Sequence, residues 1–428
     1  MLEQRRRFGP ELRRLRTEAE MSLTRLSARV HYSKSQLSKV ERGLKPPTPE
    51  LARLCDTALG ADGTLAALVP PPVTAQPLDD IPGTTDEGEV WLMRLSADGP
   101  SSFQSIGRRH LVAAGAASVV SLGLGSPTAY ADGTRLIDSS RSLFDHLRHL
   151  GQSTDPGLLL PTLIAQTHSV RDLARDAGAH TRGELLKLAS RYAEYIGWLV
   201  QETGDERGAL WWTDRAVELA EAGGDRDLAA YALVRRALVT FYRDDHVRTV
   251  ELARQAQAAQ PPPRIAGLAA QQEAQGHALA GDRDACTAAL DRARELLERA
   301  ADEPDAPLIG SALNDPVSMI TGWCLHDLGQ PQRAAELLDR EVERIPAHAV
   351  RNQARYGLRR ALAHAQAGEV DHACGLTERL LDKVNTVGSA TVRADLRRLL
   401  RTLSRHPAHP QVRELQHRLA NSLHTVPS

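Results

Sequence analysis

Cysteine, lysine, net charge and long apolar runs are all scarce in this chain. Four cysteines, Cys55, Cys286, Cys324 and Cys374, are scattered through 428 residues and form no close pair. That spacing implies neither a disulfide framework nor a zinc site, and a reducing cytosol is the simplest setting. The formal net charge is −1, so global charge identifies no partner. No apolar signal segment opens the sequence. A phosphate-binding glycine loop, a nucleophile elbow and a paired-histidine metal helix are also missing. His406 and His409 fall in a proline-broken stretch and read as surface histidines. No carboxylate sits in an obviously apolar setting. The expectation is a protein that is not an enzyme, with no catalytic residue, cofactor or metal.

The stretch from Leu15 to Pro49 is the richest in information. Ser22 to Val30 reads as one helix, His31 and Tyr32 as a tight turn, and Ser33 to Arg42 as a second helix closed by Gly43. Ser33 suits an N-cap, and Gln36 three residues later completes a capping box. Leu37 and Val40 share an inner face, opposite Leu26 and Val30 of the preceding helix. The outer face keeps Lys34, Ser35, Gln36, Ser38, Lys39 and Arg42. A helix backed by apolar residues and fronted by cations, hydroxyls and an amide suits a DNA major groove. Local charge agrees: residues 1–69 hold 13 cations and 8 anions, an excess of five positive charges.

The run from Leu26 to Gly43, with its Glu41-Arg42-Gly43 ending and the following Pro46-Pro47-Thr48-Pro49-Glu50-Leu51, resembles the phage-repressor, Cro-like (XRE-type) helix-turn-helix. The resemblance covers roughly residues 8–69 and departs from the family at two places. His31 replaces the usual turn glycine and must take a left-handed backbone, which histidine tolerates better than most side chains. Leu23 replaces a glutamine that touches phosphate in the family. The resemblance implies double-stranded DNA as partner, with Lys34, Ser35, Gln36 and Lys39 at base edges. Arg25, Ser38, Arg42 and Lys45 are the expected phosphate contacts. Only Lys34, Lys39, Lys45, Lys187 and Lys383 are lysines. With abundant alanine, this arginine bias suggests a GC-rich bacterial genome and says nothing of mechanism.

Residues 70–133 read as a linker. Pro70-Pro71-Pro72 is stiff, and a polar, acidic stretch follows. Trp91, Leu92, Met93 and Leu95 inside it suit either a docking segment or a short helix. Arg108-Arg109, Leu111 to Leu124 and Ala129-Tyr130-Ala131 resemble a twin-arginine export signal, but a folded domain would precede it. The apolar part is shorter than the ~20 residues that span a bilayer. A short buried helix is expected there, with a membrane tether as the alternative.

Beyond residue 133 an internal repeat emerges. Gly197-Trp198, Gly204 and Ala209 have the same spacing as Gly322-Trp323, Gly329 and Ala334. The turn recurs at Asp244-Asp245, Gly281-Asp282 and Gly368-Glu369, at intervals of 40, 37, 48 and 39 from Gly204. Periods of this size belong to arrays of helical hairpins. Over about 183–385 the pattern resembles degenerate tetratricopeptide repeats: Gly322, Ala334 and Pro346 match the family places in one unit, and Gly197, Ala209 and Ala216 in another. Helices from Thr134 to Ala177 and from Thr391 to Leu423 would flank the array. The resemblance implies a groove lined by Arg191, Glu194, Trp198, Gln201, Tyr231, Gln271, Gln275, Trp323, His326 and Arg355, suited to a peptide or small amphipathic ligand. Trp198 and Trp323 suit core packing at least as well. Of the adjacent Trp211 and Trp212, at most one is expected to be fully buried.

The sequence therefore leads to an all-α regulator with three parts. A five-helix helix-turn-helix domain at 1–69 is followed by the linker and by a tetratricopeptide-like α-solenoid at 134–428. The expected partners are DNA, a second copy of the chain and a signalling ligand or partner protein, in the cytoplasm and not on a membrane. An adaptor or antitoxin-like scaffold and a membrane-tethered regulator are the alternatives.

Overall fold

The computed structural model describes residues 2–69, 90–94, 102–106, 133–300, 313 and 315–424. The chain begins with α1 (Leu2–Glu18), α2 (Leu23–Val30), α3 (Lys34–Glu41) and α4 (Pro49–Leu59), followed by a 3-10 turn, Ala66–Leu68. The expected five-helix domain is thus four α-helices closed by one tighter turn. Strands β1 (Val90–Arg94) and β2 (Ser102–Ile106) pair antiparallel, with Val90 opposite Ile106 and Arg94 opposite Ser102. This hairpin replaces the short helix considered for Trp91 to Leu95; Leu95 itself and the apolar segment 108–131 lie outside the described residues.

Helices fill the remainder: α5 (Gly133–Leu150), α6 (Pro156–Arg175), α7 (Ala179–Thr203), α8 (Glu206–Ala222) and α9 (Leu228–Tyr242). Then come α10 (His246–Ala258), α11 (Pro263–Ala280), α12 (Arg283–Arg299), α13 (Pro316–Asp327) and α14 (Pro331–Glu343). The last five are α15 (Val350–Gln366), α16 (Val370–Glu378), α17 (Leu381–Val387), α18 (Ala390–Leu403) and α19 (Pro410–His424). The fold is all-α apart from the hairpin, and among the described residues no helix is long and apolar enough to cross a membrane.

The chain forms two units. One joins Met1–Val73 to Ala229–Asn421, and the other comprises Thr74–Leu228 with Ser422–Ser428. The division falls inside the helical region near residue 228 and groups the first four helices with the second half of the chain.

The repeated turn has a local cause. A residue with positive φ ends each first helix, and the next residue opens the second. Gly204 (φ 95°), Asp244 (φ 57°), Gly281 (φ 83°), Gly329 (φ 74°) and Gly368 (φ 90°) fill the first place. Asp205, Asp245 and Asp282 fill the second, and each carboxylate accepts a backbone N–H three residues on, at 2.9, 3.0 and 3.0 Å. Left-handed glycine followed by an acidic N-cap reverses the chain in two residues. Within the hairpins, small residues allow close packing. A Cβ on Gly197 would lie 3.1 Å from the Ala209 carbonyl, and one on Gly322 would lie 2.8 Å from Leu338.

Within the unit containing the first four helices, α11, α13 and α15 lie beside one another in chain order. Trp323 sits in their core with Phe241, Tyr242 and Tyr356, at ring-centroid distances of 5.3, 6.2 and 6.4 Å. In the other unit Phe144 of α5 packs on Tyr192 of α7 at 4.6 Å, and Trp212 is buried while Trp211 is only partly covered.

Candidate nucleic-acid interface

Both helices of the motif are set by their caps. Ser22 Oγ accepts the Arg25 N–H at 3.1 Å and Ser33 Oγ accepts the Gln36 N–H at 3.2 Å, so each helix starts on a serine. His31 ends α2 at φ 52°, ψ 38°, the left-handed geometry that its position demands. Leu26, Val30, Leu37 and Val40 close over Phe8, Leu12, Leu51, Leu54 and Leu65 in a small core. Gly9 lets α1 cross α3 closely, since a Cβ there would lie 2.5 Å from the Glu41 carbonyl.

The opposite face of α3 is open. Lys34, Ser35, Lys39, Arg42 and Lys45 are exposed, as is Arg25 on α2, whereas Gln36 and Ser38 are half-buried. Gln36 is shared with the cap through its backbone, and Arg42 Nε donates to the Ser38 carbonyl at 3.2 Å, which folds its guanidinium along the helix. Glu41, the acidic residue of this helix, is turned away and held by Arg16 through contacts of 2.6 and 3.2 Å. The pairing takes its charge off the outer face and leaves four nearby cations, Lys34, Lys39, Arg42 and Lys45, without a carboxylate beside them on α3. Arg16 was not evident from the motif; only the bidentate geometry reveals its part.

The domain does not hang from the chain by residues 70–133 alone. It is seated on three of the repeated turns. At the first, a Cβ on Gly281 would lie 3.3 Å from Ala66 Cβ and 3.5 Å from Gly63. At the second, one on Gly329 would lie 2.7 Å from the Arg53 carbonyl and 2.9 Å from Thr57 Oγ1. At the third, one on Gly368 would lie 2.6 Å from the His31 ring. Two polar groups of α4 complete the seat: Arg53 Nη1 donates to the Leu279 carbonyl at 3.1 Å and Thr57 Oγ1 donates to the Leu328 carbonyl at 2.8 Å. Each satisfies a carbonyl at the end of a repeat helix, a group that needs a donor once buried.

Charge fastens the same seat. Arg405 Nη2 donates to Glu50 Oε2 and to the Tyr32 hydroxyl, both at 2.7 Å, while its guanidinium lies 4.0 Å from the Tyr32 ring centre. Gln366 Nε2 donates to the other Glu50 oxygen. Burial works against the Glu50 charge, but Arg405 and Arg398 outweigh it and hold the carboxyl below its usual range. Beneath lie Asp327 and Arg398, 3.3 Å apart, with His326 Nδ1 3.1 Å from Asp327. Asp327 is held far below the carboxylate range by Arg398 and His326 despite full burial. Burial lowers His326, with Asp327 opposing it, and burial followed by Arg405 lowers His31.

The groove positions are placed differently from an open groove. Glu194, Trp198, Gln201, Tyr231, Gln271, Gln275, Trp323 and His326 are all buried, and only Arg191 and Arg355 are partly exposed. Trp198 stacks on Tyr195 at 5.5 Å. Trp323 lies under the Arg359 guanidinium at 3.5 Å, and Arg359 is itself paired with buried Asp395 at 2.7 Å. Arg355 donates to Thr391 at 2.7 Å. No residue of the α3 face belongs to a metal-ligand cluster; among the described residues the one such cluster is Asp339, His364 and His372.

With this geometry in place, comparison with known families is informative. A family described as a helix-turn-helix domain matches residues 7–69, the span of α1 to the 3-10 turn. Comparison with curated proteins yields no match. The chain thus carries a helix-turn-helix DNA-binding domain at its N-terminal end.

Proposed function

We propose that this protein is a sequence-specific transcription regulator of the XRE, Cro-like kind, acting in the bacterial cytoplasm as a homodimer on a two-fold-related site. The observation that carries the reading is the outer face of α3. Its cations and the Ser35 hydroxyl are exposed, its acidic residue is neutralised from behind, and the helix is pinned by a buried apolar face. Lys34, Ser35, Gln36 and Lys39 lie in the first two turns and would meet base edges; Arg25, Ser38, Arg42 and Lys45 would meet phosphates. One such helix offers few contacts, which is the reason for a dimer.

The helical hairpins, tetratricopeptide-like in spacing, serve in this reading as the regulatory part. Their turns hold the DNA-binding domain directly, so a ligand or partner protein that favours one arrangement of the hairpins changes the presentation of α3. The burial of most groove positions directs that signal to exposed surfaces of the hairpins.

Selection of bound duplexes from a random pool by the full-length protein tests the reading. A discrete motif with two-fold symmetry is expected. Lys34→Ala should then cost roughly 1–3 kcal/mol and relax preference at one position, while Arg42→Ala weakens all sequences alike and lowers the salt dependence. Equal loss on every duplex for both variants would remove the assigned roles, and no enriched motif would remove the function.

A further inference from the structure

Asp339, His364 and His372 come from three successive helices, α14, α15 and α16, yet their ligand atoms all lie within 4.8 Å of one another. His364 is buried. Its Nδ1 is 2.7 Å from Glu369 Oε2 and its Nε2 is 2.9 Å from Asp339 Oδ1, and its ring meets His372 edge-on with centroids 4.4 Å apart. Two imidazoles and a carboxylate gathered within 4.8 Å from three helices are a donor set that suits a cation. Glu343 adds a third carboxylate nearby, against a single guanidinium, Arg360, which holds Asp339 at 2.5 Å. The local charge is therefore negative.

We propose that Asp339, His364 and His372 bind a divalent late first-row transition ion of the zinc class and so fasten α14, α15 and α16 together. Imidazole and carboxylate donors suit such an ion, and three protein ligands leave a fourth position for water. His372 is exposed, so that position faces solvent. Glu369 is the positioning residue: by accepting from Nδ1–H it fixes the ring and directs Nε2 to the ion, as carboxylates behind metal-bound histidines do. The site lies at the corner whose Gly368 abuts His31, but it stands independently of the DNA-binding reading.

Titration of metal-free full-length protein with Co2+ alone tests the site. The expected result is visible ligand-field absorption saturating at one equivalent and abolished by excess Zn2+. His372→Ala, at an exposed position, should weaken Co2+ binding by more than about tenfold and leave the unfolding of the metal-free chain unchanged. Glu369→Gln should weaken it roughly 10–100-fold without changing the stoichiometry. No absorption, or an affinity untouched by both His372→Ala and Asp339→Asn, overturns the proposal.

Discussion

Single residues decide how closely helices approach in this protein, and two glycines show the two ways this happens. Gly9 lies within α1 with ordinary helical backbone; its importance is the 2.5 Å that would separate a Cβ from the Glu41 carbonyl. Gly9→Ala should therefore push α1 off α3 and cost about 1–3 kcal/mol, measured by urea unfolding. Gly329 carries both constraints, a left-handed φ of 74° and a Cβ path blocked by the Arg53 carbonyl. Gly329→Ala should destabilise by a similar amount and also free α4, seen as faster amide exchange there; unchanged exchange would separate the turn from the seat. His31 illustrates what a sequence exposes at this scale. Its left-handed backbone follows from its place in the motif, but its contact with Gly368 depends on a partner 337 positions away.

At the scale of elements, legibility tracked the range of the interactions. Helix starts on Ser22 and Ser33, and the Gly-Asp reversals, are closed by hydrogen bonds three to five residues long, so residue type and spacing reveal them. The seat is built from contacts such as Arg53 to Leu279, Thr57 to Leu328 and Arg405 to Glu50, separated by 226, 271 and 355 residues. On paper Arg53 and Thr57 are ordinary polar residues of an amphipathic helix. The β hairpin is hidden for another reason: Trp91-Leu92-Met93 is too short a run to carry a period. The groove positions follow from the repeat resemblance alone, whereas exposure depends on what packs against them in this chain. Arg405 offers the direct test of the seat. Arg405→Ala strands Glu50 and Tyr32 beside the repeat turns, and loss of one partner from such a covered pair costs about 3 kcal/mol. Hydrogen exchange in α2 to α4 should rise while α11 to α14 stay protected. Uniform protection across both groups would show that the ion pair does not hold the domain.

For the whole molecule, the buried titratable groups set the dependence of stability on pH. His31 and His406 are both lowered, chiefly by burial, His31 next by Arg405 and His406 next by His31, His409 and Arg405. Groups with depressed folded values bind fewer protons when folded than when unfolded, so stability rises with pH across their range. It should be complete above about pH 7 and decline as pH falls through the unfolded histidine value near 6.5. Glu50 and Asp327, also depressed, add a second loss only when pH falls through the carboxylate range near 4. Urea midpoints at pH 7.5 and 5.5 should therefore differ, and His31→Gln with His406→Gln should shrink that difference. An unaltered difference in the double variant would assign the upper window to other histidines, such as His246 and His326.

The seat on three turns has one more consequence. α4 has 11 residues, about 16 Å of rigid rod at 1.5 Å per residue. Together with the turn after it and the His31 turn between α2 and α3, it rests on Gly281, Gly329 and Gly368, each belonging to a different hairpin. The domain thus works as a gauge laid across neighbouring repeats: it fits one pitch of the array, and a slip of a single hairpin lifts at least one of its three feet.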